Sequence, residues 1–163
     1  MKGLTPFQTV GPFFDVLLRT RRADHRPAGP PVVLAGTLLD GGGHPVPDGL
    51  IEIWQADNSH YGWSHTDESG SFRFEINKPA PVPGPDGRDQ APHVLVSVMA
   101  RGVLTRYVTR AYFDDEDANR SDAILNLVPA GRRKTLIARM TAPGWYHFDI
   151  RIQGEDETVF FDV

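Results

Sequence analysis

PVVLAGTLLDGGGHPVPDGLIEIWQA, residues 31–56, decides the fold class. Two short apolar runs, PVVLAGTLLD (31–40) and LIEIWQA (50–56), flank GGGHPVPDG, a connection dense in turn residues. Runs of this length bounded by glycine and proline read as strands, and a turn-rich link between two of them predicts an antiparallel pair. The punctuation continues outward: 16 glycines and 14 prolines in 163 residues break the chain into short β-type runs, as in an all-β sandwich or barrel. SFRFEI (71–76) follows the turn signal Asp67-Glu68-Ser69-Gly70, with Phe72, Phe74 and Ile76 alternating with Arg73 and Glu75. WYHFDIRI (145–152) alternates more cleanly, with Tyr146, Phe148, Ile150 and Ile152 on one face and His147, Asp149 and Arg151 on the other, a polar stripe read as solvated or interface-facing. LTRYVTRAYF (104–113) is a further strand, TVFFDV (158–163) closes the sheet, and RRKTLIARM (132–140) fits helix or strand. The expected class is an all-β, antiparallel β-sandwich.

An apolar fraction of 40% over this length is enough for one core, so residues 31–163 are expected to form a single domain. Residues 1–30 differ. Thr5-Pro6, Gly11-Pro12 and Arg26-Pro27 forbid long regular structure, yet Phe7, Val10, Phe13, Phe14, Val16 and Leu17 are too apolar for a free tail. An irregular arm of this kind is expected to pack on a partner or on its own sandwich. No apolar stretch approaches the roughly 20 residues of a membrane span, and MKGLTPFQTV has no secretory h-region, so a soluble, unexported, cytoplasmic protein is expected. Without cysteine there are no disulfides, thiolate metal sites or cysteine nucleophile. The net charge of −4, with basic residues clustered only at Arg19, Arg21, Arg22 and at Arg132, Arg133, Lys134, argues against nucleic acid as a partner.

Several stretches imitate chemistry. Gly41-Gly42-Gly43 is a turn, because His44-Pro45-Val46-Pro47 cannot start the helix a phosphate cradle needs. Ser64-His65-Thr66-Asp67 has the residue types of a hydrolase triad, but neighbours in an extended chain point to opposite faces. His44, His60, Tyr61 and His65 are read as loop surface rather than a metal cluster. His93 opens the run APHVLVSVMARG (91–102). Two ligands on one strand must stand at i and i+2, where side chains share a face, and the residue two places on is Leu95, followed on that face by Ser97 and Met99. One imidazole does not hold a catalytic metal.

Nearly the whole chain resembles the intradiol aromatic-ring dioxygenases. The likeness lies in TPFQTVGPF (5–13), IEIWQAD (51–57), Ala91-Pro92-His93, Ala100-Arg101-Gly102, YFDDE (112–116), Leu125-Asn126-Leu127, Thr135-Leu136-Ile137-Ala138, and FDIRIQGE (148–155) through TVFFD (158–162). The YFDDE and IQGE runs are similar in particular to the α chain of the family's two-chain members. The resemblance implies a transthyretin-like β-sandwich in a hetero-oligomer with a homologous β chain. That β chain holds a non-haem Fe(III) through two tyrosines and two histidines and cleaves a catechol with O2 between its hydroxyl-bearing carbons. It further implies that the second histidine falls at Leu95, that a ligand tyrosine falls at Val82, and that an arginine of the catalytic chains falls at Gln90. The loop bearing the other tyrosine is short here, between Asp57 and Asp67, and so is the link from the arm to the first strand. His93 is then a residual ligand position in a chain that binds no metal and has no catalytic residues sufficient by themselves.

The same resemblance places the arm and the Ala-Arg-Gly turn at the entrance to the β chain's pocket, which carries over to Thr9, Pro12 and Arg101. A guanidinium suits a small aromatic carboxylate, since it pairs with the carboxylate in a fork. Two other expectations compete. One is a self-sufficient intradiol enzyme with a rearranged site drawn from His93, Tyr61, Tyr107 and Tyr112. The other is a transthyretin-like module that binds without catalysis.

Overall fold

The computed structural model describes residues 30–84 and 87–162. The arm up to residue 29, with Thr9 and Pro12, lies outside the described residues. Eleven strands follow in order: β1 (Val32–Leu39), β2 (Leu50–Gln55), β3 (His60–His65), β4 (Ser71–Ile76), β5 (Val82–Pro83), β6 (Asp89–Gln90), β7 (His93–Met99), β8 (Tyr107–Phe113), β9 (Ile137–Ala142), β10 (Trp145–His147) and β11 (Ile150–Arg151). Period two decides their faces. In β4, Phe72, Phe74 and Ile76 are buried while Arg73 and Glu75 are exposed, and in β7 Val94, Val96 and Val98 point inward while Leu95, Ser97 and Met99 stay half-buried on the outer face.

One half of the sandwich pairs β4, β1, β10 and β11; the other runs β3-β2-β7-β8, and β9 joins the halves by pairing with β8 and β10. Their inward residues share one core. Leu34 and Leu38 of β1, Phe74 of β4 and Tyr146 of β10 meet Ile51 and Ile53 of β2, Val96 of β7 and Phe113 of β8. The Phe113 and Tyr146 rings meet edge-on at 4.7 Å. Burying each such large side chain contributes roughly 1.5–3 kcal/mol, and this layer holds the two halves together. The β-sandwich expectation stands, with parallel ladders added between β1 and both β10 and β11 and between β8 and β9.

The expected pairing of 31–40 with 50–56 is not made: β1 pairs with β4, and β2 with β3 and β7. The turn residues between them carry the chain from one half to the other. The Asp40 carboxylate accepts the Gly42 and His44 N–H groups, the Val46 N–H returns to the Leu38 carbonyl, and the Gly49 N–H then reaches Thr66 Oγ1 at the far side. Residues 60–65, expected as loop, form an edge strand because the turn at Asn58, whose side chain accepts the His60 N–H, sends the chain back along β2.

WYHFDIRI keeps its two faces but breaks at Phe148-Asp149. There the Asp149 carboxylate accepts the Thr37 N–H at 2.8 Å, doing the work of a ladder carbonyl, while His147 and Asp149 stay exposed as a solvated stripe requires. A Cβ on Gly36 would lie 1.9 Å from the Phe148 carbonyl oxygen, which is why glycine stands opposite the break. RRKTLIARM is both of its alternatives, a 3-10 turn over Arg133–Leu136 followed by β9. The described part of the closing run, residues 158–162, lies along β8 through one bridge, Phe161 to Val108, rather than as a full strand. A short helix, α1 (Ala123–Leu127), was not legible from periodicity. Among the described residues, no helix is long and apolar enough to cross a membrane.

Candidate functional site

Of the residues singled out by sequence, His93 and Arg101 fall at the two ends of β7. At its start, segment 114–136 folds over the outer face of β8 and buries a second apolar cluster of Ala91, Tyr112, Leu125, Val128 and Leu136. His93 is 7% exposed beneath this cover. Its Nδ1 donates to the Ala91 carbonyl at 2.8 Å, since a carbonyl can only accept, and its ring lies 5.3 Å from that of Tyr112. Burial lowers the His93 pKa, and the Arg110 cation adds to that, so the imidazole is neutral.

Around it runs a continuous polar chain. Arg110 Nη1 donates to Gln90 Oε1 at 2.7 Å and to the Tyr112 hydroxyl at 3.2 Å. Tyr112 donates on to Asp122 Oδ1 at 3.1 Å, and Asp122 also accepts the Leu125 N–H at 2.7 Å, capping α1, and the Ala91 N–H at 2.8 Å. Burial pushes the Tyr112 hydroxyl well above its ordinary value, so it remains a phenol and a donor. Asp122 is itself fully buried.

The strand register brings the mapped ligand positions together: Val82 stands opposite Gln90, and Leu95 opposite Arg110, two residues from the His93–Tyr112 pair. The chemistry for iron is not there. Val82 and Leu95 carry no donor, Tyr112 is spent on Asp122, and a guanidinium stands where the second imidazole would face. Hard anionic oxygen donors suit a ferric ion, and these residues do not fit one. Among the described residues, no three of His, Asp and Glu are grouped so as to hold a metal ion.

Of the rearranged-site residues, His93 and Tyr112 lie together, and the other two tyrosines are engaged elsewhere. Tyr107 pairs in register with Val98 at the far end of β7 and packs on Phe160 at 4.8 Å. Tyr61 is exposed on β3, donating to Glu52 at 2.5 Å; burial and then the Glu52 carboxylate push its pKa up to about 12. His44 is an exposed turn residue beside Asp40, while His60 and His65 stand at opposite ends of β3. Thr66 and Asp67 of the triad-like run build turns: Thr66 Oγ1 donates to the Val46 carbonyl, and Asp67 Oδ1 accepts from Ser69 and Ser71.

At the other end of β7, Arg101 follows the strand by two residues in a turn, beyond the roughly 20 Å that the strand spans at about 3.3 Å per residue. Its side chain is 56% exposed. Nε lies 3.2 Å from Asp48 Oδ2, and Nη2 donates to Asp48 Oδ1 at 3.3 Å, a two-pronged pair. His93 and Arg101 therefore belong to two separate places on this chain.

The sequence is 40% identical to the protocatechuate 3,4-dioxygenase alpha chain of Burkholderia cepacia over 196 aligned positions, covering 98% of this chain and 97% of that one. The chain belongs to the intradiol ring-cleavage dioxygenases, in the alpha-chain branch of protocatechuate 3,4-dioxygenase. The Pseudomonas putida alpha chain is 37% identical over 97% of this chain, and the B. cepacia beta chain 30% over 93%. No family model matches. Since 98% of 163 residues is about 160, some 36 of the 196 positions are gaps in this chain. Two solved structures share the fold: catechol 1,2-dioxygenase from Acinetobacter sp. ADP1 (TM-score 0.61, 19% identity, 78% of this chain, 54% of that one) and a Streptomyces sp. SirexAA-E dioxygenase domain (TM-score 0.62, 24% identity, 93% and 99%). Intradiol dioxygenases are non-haem iron enzymes.

Two side chains that hold the partners of these residues in place are absent from the sequence analysis. Asp122 carried a signal, standing as a helix-capping residue just before Ala123-Ile124-Leu125. Asp48, in Pro47-Asp48-Gly49, read only as turn chemistry, because its partner lies 53 residues away.

Proposed function

We propose that this chain is the non-iron-binding subunit of a hetero-oligomeric protocatechuate 3,4-dioxygenase in the cytoplasm, supplying pocket wall and assembly surface to a homologous beta subunit that holds the Fe(III). The overall reaction breaks the carbon–carbon bond between the two hydroxyl-bearing carbons of protocatechuate and adds one oxygen atom of O2 to each, giving 3-carboxy-cis,cis-muconate. The observation that carries this reading is the pairing of alpha-chain likeness along nearly its whole length with mapped ligand positions that hold valine and leucine beside a lone buried His93. Arg101 binds the substrate carboxylate at the rim of the shared pocket, helped by Thr9 and Pro12 of the arm, residues 1–30, which packs on the partner or on its own sandwich. Residues 31–163 act as one domain. The substrate's carboxylate is the feature a guanidinium recognises, and the exposed Arg101 head group is available for it.

A self-sufficient site has less support, because Tyr107 stands at the far end of β7 from His93, the Tyr61 hydroxyl is engaged by Glu52 and the Tyr112 hydroxyl by Asp122. Co-expression with a protocatechuate 3,4-dioxygenase beta chain, followed by purification and a protocatechuate-dependent O2-uptake assay, tests the proposal. Co-purification with activity only in the pair is the expected result. Activity in this chain alone, or failure to co-purify with any such beta chain, would overturn it.

A further inference from the structure

We infer that Asp48 is the positioning residue that sets which edge of Arg101 meets the substrate carboxylate; this rests on the reading of Arg101 as carboxylate-binding. A guanidinium offers two edges able to grip a carboxylate in a fork, one from Nε and Nη2 and one from Nη1 and Nη2. Asp48 takes the first, with Oδ2 at 3.2 Å from Nε and Oδ1 at 3.3 Å from Nη2. The second remains directed away from Asp48 on a side chain more than half exposed. A pair with separate oxygens on separate nitrogens fixes the plane of the head group as well as its position.

Asp48 can do this because its own loop is clamped. Thr66, 1% exposed at the end of β3, donates from Oγ1 to the Val46 carbonyl at 2.7 Å and accepts the Gly49 N–H on the same oxygen at 2.8 Å. Its backbone N–H reaches the Gly49 carbonyl at 2.8 Å, and its carbonyl accepts the Asp48 N–H at 3.3 Å. Both neighbours of the Pro47-Asp48 pair are thus tied to one buried threonine. Asp48 sits there at φ 58°, a left-handed conformation that aspartate tolerates better than most residues. Its side chain is 16% exposed against 56% for Arg101, so the carboxylate is the fixed member and the arginine the one being aimed. Gly49 has no freedom to change: a Cβ there would lie 2.5 Å from Leu38 Cδ2. A supporting carboxylate behind a binding group orders it before substrate arrives, which lowers the entropy lost on binding.

The test uses the complex assembled with a beta chain, assayed with protocatechuate and with catechol, which lacks the carboxylate. Arg101→Ala is expected to raise KM for protocatechuate about 10- to 100-fold with little change for catechol. Asp48→Ala is expected to raise KM for protocatechuate about two- to fivefold, with kcat and the KM for catechol unchanged, and Asp48→Asn, which keeps the shape and tolerates the left-handed backbone, to fall between. An Arg101→Ala effect with both Asp48 variants at wild-type KM would overturn the positioning role while leaving Arg101 in place. No selective effect of Arg101→Ala would remove the carboxylate-binding reading and the inference with it. Equal KM increases for both substrates in the Asp48 variants would mark a purely structural loop residue and overturn the inference.

Discussion

The two ends of β7 use a polar side chain in opposite ways. His93 is 7% exposed, its Nδ1 on the Ala91 carbonyl, inside a chain of bonds that passes from Gln90 through Arg110 and Tyr112 to Asp122. Arg101 is more than half exposed, held along one edge and open along the other. The first end is closed: each group there serves its neighbours, and the cover supplied by residues 114–136 leaves it a structural joint. The second is unfinished, with a charged fork directed at solvent and a clamped carboxylate behind it. A subunit that has given up its own reaction centre and serves another's would be built this way.

The comparison breaks first at Asp122. Its carboxylate is buried and answers three donors, the Ala91 and Leu125 N–H groups and the Tyr112 hydroxyl. Asp122→Ala leaves all three unpaired and is expected to cost about 3 kcal/mol of stability, read as a lower urea midpoint, with KM for protocatechuate unchanged in the assembled enzyme. Arg101→Ala should do the reverse, losing about 1.5–3 kcal/mol of substrate binding, read as KM, with an unchanged unfolding midpoint. Tyr112→Phe sharpens the contrast: removing one hydroxyl from the closed network should lower stability by about 1 kcal/mol without conferring or abolishing activity.

The smallest effect serves as a control outside both the hydrogen-bonded chain around His93 and the Arg101–Asp48 pair. Lys78 bridges Asp115 and Glu116 at 2.6 Å each, and Tyr146 donates to Asp115 at 3.0 Å. Burial pushes the Asp115 carboxyl up, but the Lys78 and Tyr146 hydrogen bonds outweigh it and hold the pKa below 3.8. A depressed carboxyl stabilises the fold above its unfolded pKa and loses that contribution as pH falls through the folded value. Asp115→Asn is therefore expected to cost under about 1 kcal/mol at neutral pH, with the difference from wild type closing as the pH drops below about 4, followed by thermal melts across that range.

Much of this was legible in the chain. Phe72, Phe74 and Ile76 fixed a half-buried strand because period two has one structural meaning, and Leu95 two places after His93 already denied the strand a second ligand. Partner choice was not. Nothing local to 31–56 says that β1 will take β4 and that β2 will take β7, because the same turn residues can reverse a strand or carry it across a sandwich. The network around His93 was hidden for the same reason: Arg110, Tyr112 and Asp122 come together through register and through a cover segment whose helix is only five residues long. Asp48 needed a contact made at a distance of 53 residues, which no spacing rule reads.

The claim that this chain holds no reaction centre of its own is tested most directly by purifying it without a partner, incubating it aerobically with ferrous iron, removing unbound metal and recording iron content and the visible spectrum. A colourless protein with iron far below one equivalent is the predicted result; a coloured protein with iron near one equivalent and a strong phenolate-to-iron absorption would contradict it.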